Sequence, residues 1–151
     1  MIPITDTLPR RRLPVVTWSL IAVNVLVFAF ELSLSEVQLE RLFYLYGVVP
    51  LRYTYPAWAD AAGFPRQGLL PFATSIFLHG GWLHLIFNMW TLWIFGDNVE
   101  DRLGRLRFIV FYFLCGVAAG LVHLVFNSAS PVPVIGASGA IAGVLGAYFL
   151  M

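Results

Sequence analysis

Lysine is absent from this chain, and all nine of its basic residues are arginine. A serine–lysine catalytic pair is therefore excluded. Cysteine is nearly absent: Cys115 stands alone in an apolar run, so neither a disulfide framework nor a thiolate metal site is available. Charge is scarce as well. Only 11% of the 151 residues are charged, against roughly a quarter in soluble chains, so a soluble domain is a poor fit. The net charge of +1 excludes a nucleic-acid or polyanion partner on electrostatic grounds.

What remains is apolar. Hydrophobic residues make up 60% of the chain and mean hydropathy is +0.82, values that describe an integral membrane protein. Four stretches approach the roughly 20 residues that cross a bilayer as a helix. They are Leu13 to Leu34, Phe72 to Phe95, Phe108 to Phe126 and Val134 to Met151. They are too long for strands and do not alternate. The expectation is an all-α, polytopic membrane helical bundle with four transmembrane helices. The first run follows Arg10-Arg11-Arg12 as a signal peptide would, but it is too long and lacks a small-x-small cleavage site, so it reads as an uncleaved anchor.

Arginine placement predicts the orientation. Residues 1–12 end in three arginines, and the connection "GDNVEDRLGRLR", residues 96–107, carries Arg102, Arg105 and Arg107. The turn "NSASPVP" has no charge. Positive-inside bias puts the N-terminus and the 96–107 connection in the cytoplasm, and the 35–71 loop and the turn outside. That loop holds Tyr44, Tyr46, Tyr53, Tyr55, Trp58 and Phe64, a density that suits a segment lying in the headgroup layer. An irregular solvated loop is the other reading.

With this orientation the second and fourth runs both enter from outside. Ser138 then lies about 6 Å below the start of its span at 1.5 Å per residue. His84 and Asn88 are four apart on one helix face, early in the second span. A hydroxyl, an imidazole and a carboxamide from two helices thus share a depth, where polar groups need protein or water around them. Gly136 allows a sharp entry into the last helix and leaves N–H groups free at its positive end, a setting that suits an oxyanion beside Ser138. Gly139, Ala142, Gly143 and Gly146 form small-residue rows that admit a neighbouring backbone. His79 and His84 are five apart, which poorly converges two imidazoles on one helix, and no carboxylate or thiolate joins them as a metal site would require.

These residues resemble a known family. "HGGWLHLIFNMWTLWIFGDNVEDRLG" followed by "GASGAIAGVLGA" is similar to the rhomboid intramembrane serine proteases, from about Phe72 to the end. The resemblance implies a six-span core of which four spans are present, with residues 13–151 forming a membrane domain that stops after the fourth. It implies Ser138 as nucleophile, and His84 and Asn88 as oxyanion-stabilising side chains. Backbone N–H groups around Gly136, Ala137 and Gly139 would add to that hole. His79 is implied to be structural, and Glu100, Gly104 and the nearby arginines to brace a cytoplasmic junction. The implied activity is peptide-bond hydrolysis in or beside transmembrane helices of protein substrates, without metal or cofactor, in a prokaryotic plasma membrane.

The family's base is a histidine on the sixth span, and this chain carries none there. His123, near the outer end of the third run, reads first as an interfacial histidine. Ala142 stands where relatives often have an aromatic residue that packs on the base. The expectation is a fragment that is inactive alone, its small-residue face on the fourth span made for the absent sixth. A non-catalytic rhomboid-like protein that binds transmembrane clients is the alternative. A transporter subunit is a third class, disfavoured because no pair of broken helices occurs in matching halves. Oligomeric state is left open.

Overall fold

A computed structural model describes residues 12–64 and 68–151. Arg10, Arg11 and the rest of the expected N-terminal segment up to residue 11 lie outside the described residues, as do residues 65–67 of the first loop. The described chain is helical. In order it forms α1 (Val15–Glu31), α2 (Glu36–Tyr46), α3 (Pro50–Thr54), α4 (Pro56–Ala61), α5 (Leu70–Thr74), a 3-10 turn (Ser75–Phe77), α6 (Trp82–Leu103), α7 (Arg105–Phe126) and α8 (Ser138–Phe149). The one β-type pairing recorded among the described residues is an isolated antiparallel bridge between Val48 and Val134.

α7 is long and apolar enough to cross a membrane, and the α5–turn–α6 pair passes the same test if counted as one bent span. α1 and α8 are apolar but shorter, at 17 and 12 residues. The outward faces are greasy: Leu26 and Phe30 on α1, Leu83 and Phe87 on α6, and Leu114 and Val125 on α7 are all exposed. A soluble surface does not carry contiguous apolar area of this kind.

The second apolar run departs most from expectation. It is not one helix over 72–95. α5 and the 3-10 turn end at Leu78 in extended backbone, and α6 starts only at Trp82, bent 94° from what precedes it. The Gly80–Gly81 pair supplies the break, which average hydropathy over the run does not register. At its other end α6 runs on through "GDNVEDRL" to Gly104, so the expected 96–107 loop is a one-residue corner. Gly104 has φ +81° and ψ 156°, a region open essentially only to glycine, and this ends the helix despite its polar continuation.

α6 packs between α1 and α8, and α8 lies along α7. A buried carboxylate joins α1 to α6. Glu100 Oε1 accepts from the Val16 N–H at 3.0 Å; Oε2 accepts from the Thr17 N–H and hydroxyl, each at 2.8 Å. Pro14 cannot cap α1, so a side chain 83 residues away satisfies its first amides. Arg105 donates from Nη2 to the Leu13 carbonyl at the same end. The first loop gathers at the opposite end against the 127–134 turn. The Leu51 N–H donates to the Ser130 carbonyl at 3.0 Å, and Thr54 Oγ1 to the Ser128 carbonyl at 2.6 Å. The loop is not irregular: α2 opens with a Ser35–Gln38 capping box, and α3 and α4 each start on proline.

The α8 glycines already have a partner. A Cβ on Gly139 would strike Ala119 and one on Gly143 would strike Cys115, both on α7. The expectation that this face awaits an absent span is corrected for Gly139 and Gly143, which α7 fills because Ala119 and Cys115 are small enough to let the backbones meet. Ala142 is exposed, and a Cβ on Gly146 would meet nothing within 4 Å. Gly143→Ala should therefore cost about 1–3 kcal/mol through overpacking, and Gly146→Ala should be close to neutral. Thermal unfolding of the two variants in detergent checks this, and equal midpoints would contradict the packing.

Candidate active site

The site grows from the two breaks in the apolar runs. After the His79-Gly80-Gly81 turn, α6 begins, and its first turn carries His84 with Asn88 one turn later. Across from it, Val134 is held by the bridge to Val48, with N–H to carbonyl distances of 3.0 and 2.8 Å. Gly136 then donates its N–H to the Ser75 carbonyl at 2.8 Å and turns the chain into α8 at φ +117°.

Gly136 is required twice over. Its φ is hostile to side chains, and a Cβ there would lie 2.5 Å from both Cε1 and Nε2 of His84. The His84 ring therefore rests against the backbone that leads into Ser138. Ala137 is fully buried, while Ser138 is exposed. The Ile141 N–H bonds the Ala137 carbonyl, so the amides of residues 138–140 precede the first helical bond of α8 and carry its positive end. Such amides can receive a developing negative charge.

A cavity of about 190 Å³ lies at this junction, with Ser138, Gly136, Gly139, Ser75 and His123 among its lining residues. His84 and Asn88 do not line it. Gly136 joins the two parts, since it lines the cavity and also touches His84. Asn88 is buried and its Nδ2 lies 3.1 Å from His79 Nε2. His79 and His84 stand edge to face with centroids 5.0 Å apart. Their spacing does bring the two imidazoles together, contrary to expectation. His79 sits on the turn before α6 and not on the helix, so helical spacing does not apply. Among the described residues no three His, Cys, Asp or Glu side chains group as a metal would need.

Glu31 and Ser75 are members of this neighbourhood whose place in it the sequence pattern does not mark. Glu31 ends an apolar helix 48 residues before His79, and only the fold shows that its carboxylate receives the His79 N–H. Ser75 contributes through its main-chain carbonyl, which any residue could supply.

The described residues thus define an all-helical chain with an apolar exterior, in which an exposed serine opens a helix two residues after a glycine that rests against a half-buried imidazole. Comparison with known proteins identifies the class further. The Rhomboid domain family model matches residues 66–151, more than half of the chain, and the chain belongs to the rhomboid family. Members of that family are integral membrane proteins. Over 74 residues, 49% of this chain and 14% of the relative, it is 46% identical to the rhomboid protease GluP of Bacillus subtilis. Over 78 residues, 52% of this chain and 39% of the relative, it is 38% identical to the putative rhomboid protease YdcA of the same organism. Over 135 residues, 89% of this chain and 41% of the relative, it is 30% identical to the chloroplastic rhomboid-like protein 11 of Arabidopsis thaliana. The chain spans less than half the length of each of these relatives. No solved structure matches it significantly.

The contact between residues 84 and 136 is open to a direct test. In a double-mutant cycle of Gly136→Ala and His84→Ala, removing the ring relieves the clash of the new methyl group. The coupling energy should be about 0.5–3 kcal/mol. A coupling near zero would place the ring elsewhere.

Proposed function

We propose that these residues form the nucleophile and oxyanion half of a rhomboid-type intramembrane serine endopeptidase, acting on peptide bonds in or next to substrate transmembrane helices. The observation that carries the reading is the His84 ring lying against Gly136, two residues before Ser138. It supports a site where Ser138 Oγ attacks a carbonyl carbon and the carbonyl π electrons move onto oxygen. The oxyanion is received by the His84 ring, by Asn88 and by the first amides of α8. The amine then departs with a proton, and water hydrolyses the serine ester.

The proton on Ser138 Oγ needs an acceptor. Lysine is absent. Both ring nitrogens of His79 are within bonding distance of partners, at Phe77 O and Asn88 Nδ2. His84 serves the oxyanion. We therefore assign the base to a segment outside these 151 residues, and the chain taken alone is inactive. In this reading α1, α6, α7 and α8 are the four membrane elements. The end bearing Arg12, Arg102, Arg105 and Arg107 is cytoplasmic, in a prokaryotic plasma membrane.

The non-catalytic, client-binding alternative turns on the base: among the described residues, His123 is the one titratable side chain lining the cavity beside Ser138. Reactivity separates the two readings. A polypeptide containing these residues and a base-bearing segment should cut a transmembrane reporter and react with a fluorophosphonate, and Ser138→Ala should abolish both. His84→Ala and Asn88→Ala should each lower kcat by about 10²–10³-fold. The 151-residue chain should not cut. If it does, and His123→Ala stops it, the base lies in this chain.

A further inference from the structure

A polar chain runs from the end of α1 to Asn88, and the chemistry above does not use its first two members. Glu31 is the last residue of α1 and 2% exposed. Its two carboxylate oxygens lie 3.2 and 3.3 Å from the His79 N–H nitrogen, which donates to them. A carboxylate in this place is costly: it is buried, and the C-terminal end of a helix is unfavourable to negative charge. What it supplies in return is an acceptor for the buried His79 N–H.

The ring of His79 is 1% exposed and has one consistent tautomer. Nδ1 lies 3.3 Å from the Phe77 carbonyl oxygen, which can only accept, so Nδ1 bears the proton. The neutral ring then offers Nε2 as an acceptor, and Asn88 Nδ2 donates to it at 3.1 Å. The opposite amide orientation would set Asn88 Oδ1 against the Nε2 lone pair. His79 therefore dictates which way the Asn88 amide faces. One N–H of that amide is engaged and the second is left for another acceptor. The same ring stands edge to face with His84, centroids 5.0 Å apart.

We infer that Glu31 and His79 are positioning residues for the oxyanion site. Glu31 clamps the 78–81 turn by its main chain, and the clamped imidazole orients the Asn88 amide and backs the His84 ring. This inference rests on the protease reading. Neither residue touches the reacting atoms, so both act through Asn88 and His84.

The test uses two measurements. In a cleaving polypeptide that contains these 151 residues, His79→Leu should lower kcat about 10–100-fold with KM changed by less than about twofold. His79→Gln, whose side-chain oxygen can accept where Nε2 does, should recover most of that loss while its thermal midpoint stays with that of His79→Leu. Glu31→Leu should follow His79→Leu, and Glu31→Gln, which keeps a carbonyl acceptor, should stay near the parent. Equal kcat for the leucine and glutamine variants, or kcat that simply tracks the midpoint, would overturn the assignment. The second measurement needs no activity. Nitrogen NMR of the 151-residue chain with labelled histidine, in detergent, should show His79 protonated at Nδ1, with an Nε2 signal that moves in Asn88→Ala. An Nε2 proton, or a signal that stays still, would sink the clamp even if the enzyme cuts. A parent that does not cut, with the Nδ1 tautomer present, would sink the protease reading and leave the clamp standing.

Discussion

The His84 imidazole occupies the space a side chain at position 136 would need, and most of the architecture near the site exists to permit that contact. The ring can reach Gly136 because α6 starts late, after a 94° break, so its first turn faces the entry to α8. Gly136 can accept the ring because its backbone is pinned on either side. Its own N–H is bound to Ser75, and Val134 is bound in both directions to Val48. The partners of those bonds lie in the short elements between α2 and α6. The aromatic loop therefore has a structural consequence: it fixes the irregular chain that precedes Ser138. Irregular backbone in an apolar layer persists only when its polar groups are satisfied within the protein, and these bonds meet that demand.

Two buried carboxylates do similar work at opposite ends of the bundle. Glu100 accepts the first amides of α1, and Glu31 accepts the amide of the turn that launches α6. Each joins elements far apart in sequence through main-chain amides, and Glu100 also takes the Thr17 hydroxyl. Between these polar ends, helices approach through small residues. Gly116 lies against Ile76, Gly120 against Phe72, and Gly139 against Ala119. Where lipid tails are as apolar as leucine, burial gives helices little reason to associate, and close packing together with satisfied polar groups must replace it. Both devices are present here.

How much of this was legible in the sequence depends on the range of the pattern. Local signals carried well. The four apolar runs each contain a helix, and Gly-flanked Ser138 opens α8. The i, i+4 pair His84 and Asn88 lies on one helix. Signals that needed the backbone path failed. The run 72–95 looked continuous because the apolar residues on either side of His79-Gly80-Gly81 dominate its average hydropathy, yet the chain turns there. The stretch 96–107 looked like a loop because it is polar, yet only Gly104 leaves the helix. The glycine face of α8 was read against a missing neighbour because small residues reveal that something packs closely without saying what. Glu31 stands out in its apolar run, but its partner gave no signal, since it is a main-chain amide 48 residues away.

These failures share a cause that bears on the site. Hydropathy reports average solvent preference, while a reactive centre in an apolar layer depends on where helices stop. A continuous helix has every interior amide engaged and nothing to offer an oxyanion. Free donors exist only at N-termini, so a serine that needs them must follow a break, and the break must be covered by groups that satisfy what the oxyanion does not use. At α8 the break is Gly136, the amides ahead of the first helical bond are those of residues 138–140, which the proposed reading gives to the oxyanion, and the cover is Val48, Ser75 and the His84 ring. The glycine that admits His84 is thus also the residue that ends the preceding extended chain and exposes the amides. One residue type at one position sets the helix start and the imidazole contact together, and for that reason a change at 136 cannot alter one without the other.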